Sequence, residues 1–201
     1  AFPLFKKASQ IYKECLPVRW QGQYDMTKKL DPDFLIEDTV YTTVTINKHF
    51  RTACHRDAGD LCDDENTATP RGFSNLTVVT NGKNFDGFYL CFPEYKVAAN
   101  IQNGDFIMMD AHKIHGNVPV ISCDEGFQRV SVVMYFREKM IECESKKIEE
   151  ARKNYVYARK KDTSHPDWHA GWNGISPGMF ESEDWKKYLA LNGLLDDSVR
   201  L

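Results

Sequence analysis

Residues 75–136 contain the runs that decide the fold: NLTVVT at 75–80, FYLCF at 88–92, DFIMM at 105–109 and RVSVVMYF at 129–136. Each run is short and rich in β-branched and aromatic residues, the composition of a half-buried strand. Three further candidates of the same kind lie at 40–46, 95–99 and 118–122. Turn signals separate the runs, at Asn81-Gly82, Asp86-Gly87, Pro93, Asn103-Gly104 and Gly116-Asn117. Seven short strands at this spacing predict a β-sandwich or barrel.

Helical periodicity appears only outside these runs. Residues 3–15 predict a short helix that begins at a proline, and loop chemistry follows it up to the first strand. From Glu138 to Lys161 the apolar residues lie on one helical face, with acidic residues early and basic residues late, which suits the helix dipole. A second short helix is expected near Glu183. The sequence therefore predicts strands first and helices at the two ends.

Composition restricts the class of protein. The chain has 201 residues, 42% hydrophobic and 27% charged, and a net charge of −3. These values favour a single domain over residues 1–201, with a core at about 40–137 and a helical segment at about 138–201. No apolar run approaches the roughly 20 residues of a membrane span. The six scattered cysteines and the lack of an apolar leader predict an intracellular protein that is neither secreted nor membrane-bound.

The sharpest group of reactive side chains begins at His55-Arg56-Asp57. Two possible metal ligands at i and i+2 lie on the same face of an extended segment. His115 follows later, at the start of a predicted strand, and would complete a two-histidine, one-carboxylate site of the kind that suits non-haem Fe(II). His112 is a rival for the third position. A second pair, His165-Pro166-Asp167, is interrupted by proline and is interpreted as a turn.

Arg129 and Ser131 open the last predicted strand. Their alternation places both side chains on one face, while Val130 and Val132 point to the other. A guanidinium fork beside a hydroxyl suits a bidentate grip on a carboxylate. A structural arginine on an edge strand is the alternative.

The order HxD, then HG, then RxS resembles the Fe(II)/2-oxoglutarate-dependent dioxygenases. The segments FRTACHRDAGD, NGDFIMMDAHKIHGNVPV and RVSVVMYFREKM most resemble the TET and J-binding-protein (JBP) branch, which hydroxylates the 5-methyl group of pyrimidines in nucleic acid. The resemblance implies a mostly β fold with flanking helices (α+β), built on a double-stranded β-helix of jelly-roll or cupin-like type. It implies that His55, Asp57 and His115 bind Fe(II). It also implies that Arg129 with Ser131 holds the C5 carboxylate of 2-oxoglutarate, and that O2 is the oxidant.

Several other residues are candidates for substrate or cosubstrate contacts. Asp60 could accept a hydrogen bond from an exocyclic amine of a base, or it could be a solvated acid. Asn47 and His49 could line the pocket, and Arg51 could make a second contact to 2-oxoglutarate. Asp110 could orient a ligating histidine. Aromatic residues that could stack on a base, or belong to the core, are Phe73, Phe85, Phe88 and Tyr89.

The resemblance thus implies oxidation of 5-methylcytosine or thymine in DNA. Because a base inside a duplex cannot reach a barrel pocket, the target nucleotide would be flipped out or single-stranded. The negative net charge limits DNA contacts to a local groove near Lys48, Arg51 and Arg56 and the basic end of the long helix. No membrane and no protein partner is expected. The alternatives are a 2-oxoglutarate-dependent hydroxylase of a protein side chain or small molecule, and a non-catalytic jelly-roll binding module.

Overall fold

The β-branched runs form antiparallel strands in the computed structural model, which describes residues 1–61, 63, 70–165, 168 and 178–195. The strands in these ranges are β1 (Thr43–Lys48), β2 (Ser74–Thr80), β3 (Phe85–Gly87), β4 (Leu90–Phe92), β5 (Val97–Ala99), β6 (Phe106–Met109), β7 (Gly116–Asn117), β8 (Val120–Cys123) and β9 (Arg129–Tyr135). The helices are α1 (Phe2–Cys15), α2 (Pro17–Thr27), α3 (Lys146–Lys161) and α4 (Glu183–Leu191).

The strands assemble into a main sheet in the order β1-β9-β2-β6, a sheet in the order β5-β4-β7, and a β3-β8 pair. The paired strands within each of these sheets are antiparallel. Strand β9 lies between β1 and β2, and its Ser131 is opposite Asn47 on one side and Val78 on the other. These three residues therefore share one face of the main sheet.

The two faces of the main sheet bury different groups. Helix α1 covers the outer face, where its Phe5, Ala8 and Tyr12 pack with Val132 and Met134 of β9. The helical residues recur at three and four positions, so they form one apolar stripe. On the inner face, the buried residues form a second cluster that joins the two larger sheets: Leu76, Val78, Leu90, Ile101 and Met109. A cavity lies on this inner side.

Several predicted boundaries are wrong, and local packing explains them. Residues 17–27, predicted as loop, form α2, which starts at a proline. The Gly116-Asn117 turn signal is strand β7, and Asp86-Gly87 lies in β3 at a register shift. In the 40–46 run, Val40 and Tyr41 are fully buried before the strand begins at Thr43.

The predicted helix at 138–161 is interrupted. Residues Glu138–Glu142 form a 3₁₀ turn, and α3 restarts at Lys146 after a non-helical Ser145. The Glu149 carboxylate accepts a hydrogen bond from the Glu144 backbone N–H at 3.0 Å, which holds this restart in place. The helix predicted near Glu183 is confirmed as α4.

The chain divides into two compact units, Ala1–Ile141 and Glu142–Leu201. The second unit has its own apolar cluster, in which Tyr155 of α3 and Trp185 of α4 are buried. The single-domain expectation stays a prediction. Pro166, Asp167 and Cys62 lie outside the described residues, and the other five cysteines are free. None of the described helices has the length and apolar character needed to cross a membrane.

Candidate active site

The segment that carries His55 and Asp57 pairs with the segment that ends at His115. His55 and His115 form an isolated antiparallel bridge, with N···O distances of 2.9 and 3.0 Å in the two directions. The Asp57 backbone N–H donates to Ala111 O at 3.0 Å. As a result, the ligand atoms of His55, Asp57 and His115 all lie within 4.8 Å of one another.

The two imidazole rings are oriented by backbone carbonyls. Nδ1 of His55 lies 2.8 Å from Ala53 O, and Nδ1 of His115 lies 2.9 Å from Lys113 O. Because a carbonyl oxygen only accepts, Nδ1 carries the hydrogen in each ring, and in the neutral imidazole Nε2 then keeps a lone pair. These Nε2 atoms lie 3.1 and 3.8 Å from the two Asp57 carboxylate oxygens. Two nitrogen lone pairs and one carboxylate, all converging, are a donor set that fits a divalent transition metal.

His112, the rival ligand, does not join this group. Its Nδ1 is 3.5 Å from a carboxylate oxygen of Asp110, and the same carboxylate accepts the His112 backbone N–H at 3.0 Å. The Asp110 carboxylate therefore stabilises the loop that contains it and contacts the His112 ring. The expectation that Asp110 orients a ligating histidine is wrong, because Ala53 O and Lys113 O accept from the two rings of the group.

Gly116 allows the two ligand-bearing segments to approach. A Cβ at this position would lie 2.9 Å from both Cα and N of Cys54 and 3.0 Å from Ala53 C. Contacts this close to backbone atoms force a displacement. The glycine after His115 is thus explained by backbone packing against the residue that precedes His55.

A cavity of about 400 Å³ opens beside the three ligand residues. Among the predicted substrate and cosubstrate residues, Asn47, Asp60 and Ser131 line it. Arg129, His49 and Arg51 are not part of its lining. The lining also includes residues that sequence reasoning missed: Thr45, Phe50, Asn117, Tyr135 and Arg137.

The positions of two of these residues, Tyr135 and Arg137, follow from the sequence pattern of the last strand. Tyr135 and Arg137 continue the two-residue alternation that starts at Arg129 and Ser131, so both belong to the inner side of β9 and its extension. Arg137 is exposed, and its backbone forms an isolated bridge with Asp60. The alternation that starts at Arg129, continued one residue past the run at 129–136, predicts both.

Arg129 is buried behind the cavity wall, with 3% of its surface exposed. Its guanidinium carbon lies 4.8 Å from the centre of the Phe88 ring, and its Nε has no hydrogen-bond partner. Burial lowers the pKa of this arginine. No carboxylate in the described part of the chain forms an ion pair with it. A buried guanidinium without an anion is costly, so an anionic ligand beside Arg129 would offset part of that cost.

His49 and Arg51 lie on the approach to Arg129 and Asn117. His49 accepts the Arg129 backbone N–H on its Nε2 at 3.0 Å, and its ring contacts Phe127. Arg51 donates from Nε to Asn117 O at 3.2 Å. Both side chains are therefore engaged with the edge of the site, and their predicted roles as direct contacts stay predictions.

Asp60 is the buried acid of the cavity, with 6% of its surface exposed. Burial raises its pKa to about 6, with the Asp57 charge adding to the increase, while a hydrogen bond from the Ser74 hydroxyl opposes it. The solvated-acid alternative is wrong for this residue.

Comparison with known proteins identifies the family. The sequence profile of Tet_JBP, the oxygenase domain of the 2OGFeDO superfamily, matches residues 2–138, more than half of the chain. The chain belongs to the Tet_JBP family. Members of this superfamily are dioxygenases that use Fe(II), 2-oxoglutarate and O2.

Two curated relatives of this Tet_JBP chain are similar over most of its length. It is 30% identical over 175 residues to the bifunctional helicase and thymine dioxygenase JBP2 of Trypanosoma brucei brucei, covering 86% of this chain and 15% of the relative. It is 33% identical over 168 residues to the thymine dioxygenase JBP1 of Crithidia fasciculata, covering 82% of this chain and 19% of the relative. The chain therefore spans less than a fifth of these relatives.

A solved structure has the same architecture as the Tet_JBP chain. NgTET1 in complex with 5mC DNA matches with a TM-score of 0.55 and 12% sequence identity, over 76% of this chain and 57% of that chain. At this identity the likeness shows the fold alone. It confirms the predicted mostly β fold with a double-stranded β-helix core of jelly-roll type.

Proposed function

We propose that this Tet_JBP chain is an Fe(II)- and 2-oxoglutarate-dependent dioxygenase that oxidises the 5-methyl group of a pyrimidine in DNA. The observation that carries the proposal is the convergence of His55, Asp57 and His115 within 4.8 Å on a wall of the cavity. Relatives named thymine dioxygenase support the DNA substrate and make thymine the first base to test, with 5-methylcytosine as the second.

His55, Asp57 and His115 would hold the metal. Their carbonyl-fixed rings present Nε2 without further rearrangement, so little reorganisation is needed on metal binding. When bound, Fe(II) with 2-oxoglutarate and O2 supplies the oxidation of a methyl group to hydroxymethyl, with release of succinate and CO2. The protein contributes the orientation of the reactants and the exclusion of water.

Arg129 and Ser131 would bind the C5 carboxylate of 2-oxoglutarate. Both are buried on the same face of β9, and Ser131 reaches the cavity. The unpartnered guanidinium needs an anion, and a carboxylate is the anion whose geometry matches its planar fork. Arg51, which donates to Asn117 O at the edge of the cavity, is a secondary candidate.

The base would enter the part of the cavity that Asp60 lines. A carboxyl group there can accept from the N4 amine of cytosine, or, when protonated, donate to O4 of thymine. The raised pKa of Asp60, about 6, makes both states accessible near neutral pH. Asn47 is a second candidate contact. Because the cavity lies inside the fold, the nucleotide would be flipped out or single-stranded. A DNA substrate would require the protein to act inside the cell, in the nucleus of a eukaryote.

Nucleoside mass spectrometry tests this function. The protein is incubated with Fe(II), 2-oxoglutarate and matched DNA substrates that contain either 5-methylcytosine or only thymine, with Asp57→Ala as the inactive control. We expect an oxidised pyrimidine that requires every component. Succinate without a changed base would redirect the search to proteins and small molecules, and no succinate with any substrate would favour a binding module.

A further inference from the structure

Phe88 lies against the guanidinium of Arg129, and its backbone adopts a conformation that is uncommon for phenylalanine. The distance from the guanidinium carbon to the ring centre is 4.8 Å, and the ring is 5% exposed. The sequence offered Phe88 as a residue that could stack on a base. In the structure Phe88 is buried and is not part of the cavity lining, so it presents no open face to a base there.

The turn that carries Phe88 has two consecutive residues in the left-handed region. Gly87 has φ of 104° and Phe88 has φ of 53°, next to the register shift between β3 and β8. A bulky residue with positive φ is an outlier whose strain must be held by its surroundings. Such a conformation is unexpected where phenylalanine only fills space.

Neighbouring groups hold this conformation from several sides. Phe88 N–H donates to Pro119 O at 3.3 Å, and the Asn117 side chain donates to Phe88 O at 3.2 Å. One oxygen of the Asp86 carboxylate accepts from Gly87 N–H and from the Tyr89 hydroxyl. Asn117 also lines the cavity beside the ligand residues. The turn is therefore tied directly to the wall of the site.

The guanidinium carbon of Arg129 lies over the face of the Phe88 ring, a contact that pairs none of the N–H donors with an acceptor. The contact also restricts the orientations of the arginine side chain, so the fork can approach a carboxylate with less loss of freedom. The Nε of Arg129 is buried and has no hydrogen-bond partner, so it is available to donate to a ligand. The backbone of Arg129 is fixed separately, by the hydrogen bond to His49 Nε2.

We propose that Phe88 is a positioning residue for cosubstrate binding, which acts by stacking on Arg129 and orienting its guanidinium toward the distal carboxylate of 2-oxoglutarate. This inference rests on the proposed function, because it requires Arg129 to bind that carboxylate. The left-handed turn at residues 87–88, and the amide of Asn117 that supports it, would then serve to hold the Phe88 ring against Arg129.

The test is calorimetric titration of 2-oxoglutarate into the Mn(II)-loaded protein, in which no turnover occurs. Phe88→Leu keeps an apolar side chain of similar bulk and removes the aromatic face. We expect its Kd for 2-oxoglutarate to rise about 3- to 30-fold, the range that a desolvated ring–cation contact gives. Binding of 2-oxobutanoate, which lacks the distal carboxylate, should be unchanged. Phe88→Met serves the same purpose if the leucine variant does not fold.

Phe73→Leu is the matched control. Phe73 also lies under a guanidinium, that of Arg19 at 4.0 Å, but Arg19 has no proposed part in cosubstrate binding. We expect wild-type affinity from this variant. In an Arg129→Gln background, Phe88→Leu should cause no additional loss, since the contact through which it acts is gone.

The outcomes separate the inference from the proposed function. If Arg129→Gln weakens binding and Phe88→Leu does not, the positioning role is wrong and the cosubstrate site stands. If Phe88→Leu weakens 2-oxobutanoate equally, its effect is a general structural one and the inference is also wrong. If Arg129→Gln binds 2-oxoglutarate as the wild type does, the cosubstrate site itself is wrong, and the inference fails with it.

Discussion

Two carboxyl groups three residues apart face the same cavity in different surroundings. Asp57 lies between two imidazoles with about a third of its side chain exposed, at 35%, whereas Asp60 is buried beneath the Ser74 hydroxyl. The first arrangement suits a metal ligand, because its oxygens converge with two nitrogen lone pairs. The second suits a group that exchanges a proton near neutral pH.

Replacing Asp57 should remove the metal and the activity together. We expect Asp57→Ala to weaken Mn(II) binding more than about 100-fold, beyond the loss that follows removal of an outer contact, and to abolish succinate formation. Its circular dichroism spectrum should match the wild type. Asp110→Ala is the control, since that carboxylate contacts His112 and not the ligand group. Full activity in Asp57→Ala would remove the metal assignment.

Asp60 should make the metal-free protein less stable as pH rises. Its pKa is raised from about 3.8 to about 6, so the folded protein binds this proton more tightly than the unfolded chain does. The resulting stability is complete below the unfolded value and is lost as pH rises through the folded value. A shift of this size corresponds to about 3 kcal/mol.

Asp60→Asn removes this titration. In urea unfolding with a chelator present, we expect the variant to gain about 2 kcal/mol relative to wild type between pH 4 and pH 7.5, because the carboxyl group of the unfolded chain is already more than half ionised at pH 4. Asp63→Asn should change in the opposite direction. Although partial burial acts to raise the pKa of Asp63, hydrogen bonds from Arg19 and the Arg71 backbone lower it overall. Parallel pH profiles for Asp60→Asn and wild type would contradict the assignment.

At the scale of elements, the short strand β7 depends on one glycine. Gly116→Ala would place a methyl group 2.9 Å from backbone atoms of Cys54, and the bridge between His55 and His115 would have to open. We expect a loss of about 1–3 kcal/mol in stability, the usual result of overpacking, together with weaker Mn(II) binding. Gly59→Ala, where a methyl group meets nothing within 4 Å, should preserve both properties. Unchanged metal binding in Gly116→Ala would show that the two segments can separate without moving the ligands.

The same elements show what the sequence can predict. The sequence predicts strand β9 at 129–136 and the structure has it at Arg129–Tyr135, because its alternation and β-branched content agree with its packing on both faces. Strand β7 was missed, since its two residues are a turn pair by local propensity and form a strand only by pairing with β4. Tertiary contact outweighs propensity in segments this short.

The candidate site divides in the same way. The group formed by His55, Asp57 and His115 could be predicted, because residue type, spacing and order along the chain are all visible in the sequence. The environment of Arg129 could not, since Phe88 lies 41 positions away and reaches the guanidinium only through a left-handed turn. The environment of Asp60 also includes its contact with Ser74, which no local sequence pattern predicts.

At the scale of the whole molecule, each compact unit has its own apolar core. In the first, Ala1–Ile141, buried clusters lie on both faces of the main sheet and below the 3₁₀ turn. In the second, α3 and α4 bury Trp185 and Leu189 completely. The matched family region, residues 2–138, falls entirely within the first unit. A unit of about 60 residues is marginally stable by itself, whereas one of about 140 residues buries enough surface to fold alone.

We therefore expect a protein shortened to residues 1–141 to fold and to retain its metal site. Calorimetry should give one cooperative unfolding transition, and Mn(II) affinity should equal that of the full chain. In the full chain, Trp185→Ala should destabilise the second unit by about 3–5 kcal/mol, as expected for a buried tryptophan, and leave metal binding intact. A single domain across all 201 residues predicts instead that truncation unfolds the protein and that Trp185→Ala weakens the metal site. Loss of metal binding in both variants would establish that the helices after Ile141 stabilise the dioxygenase fold.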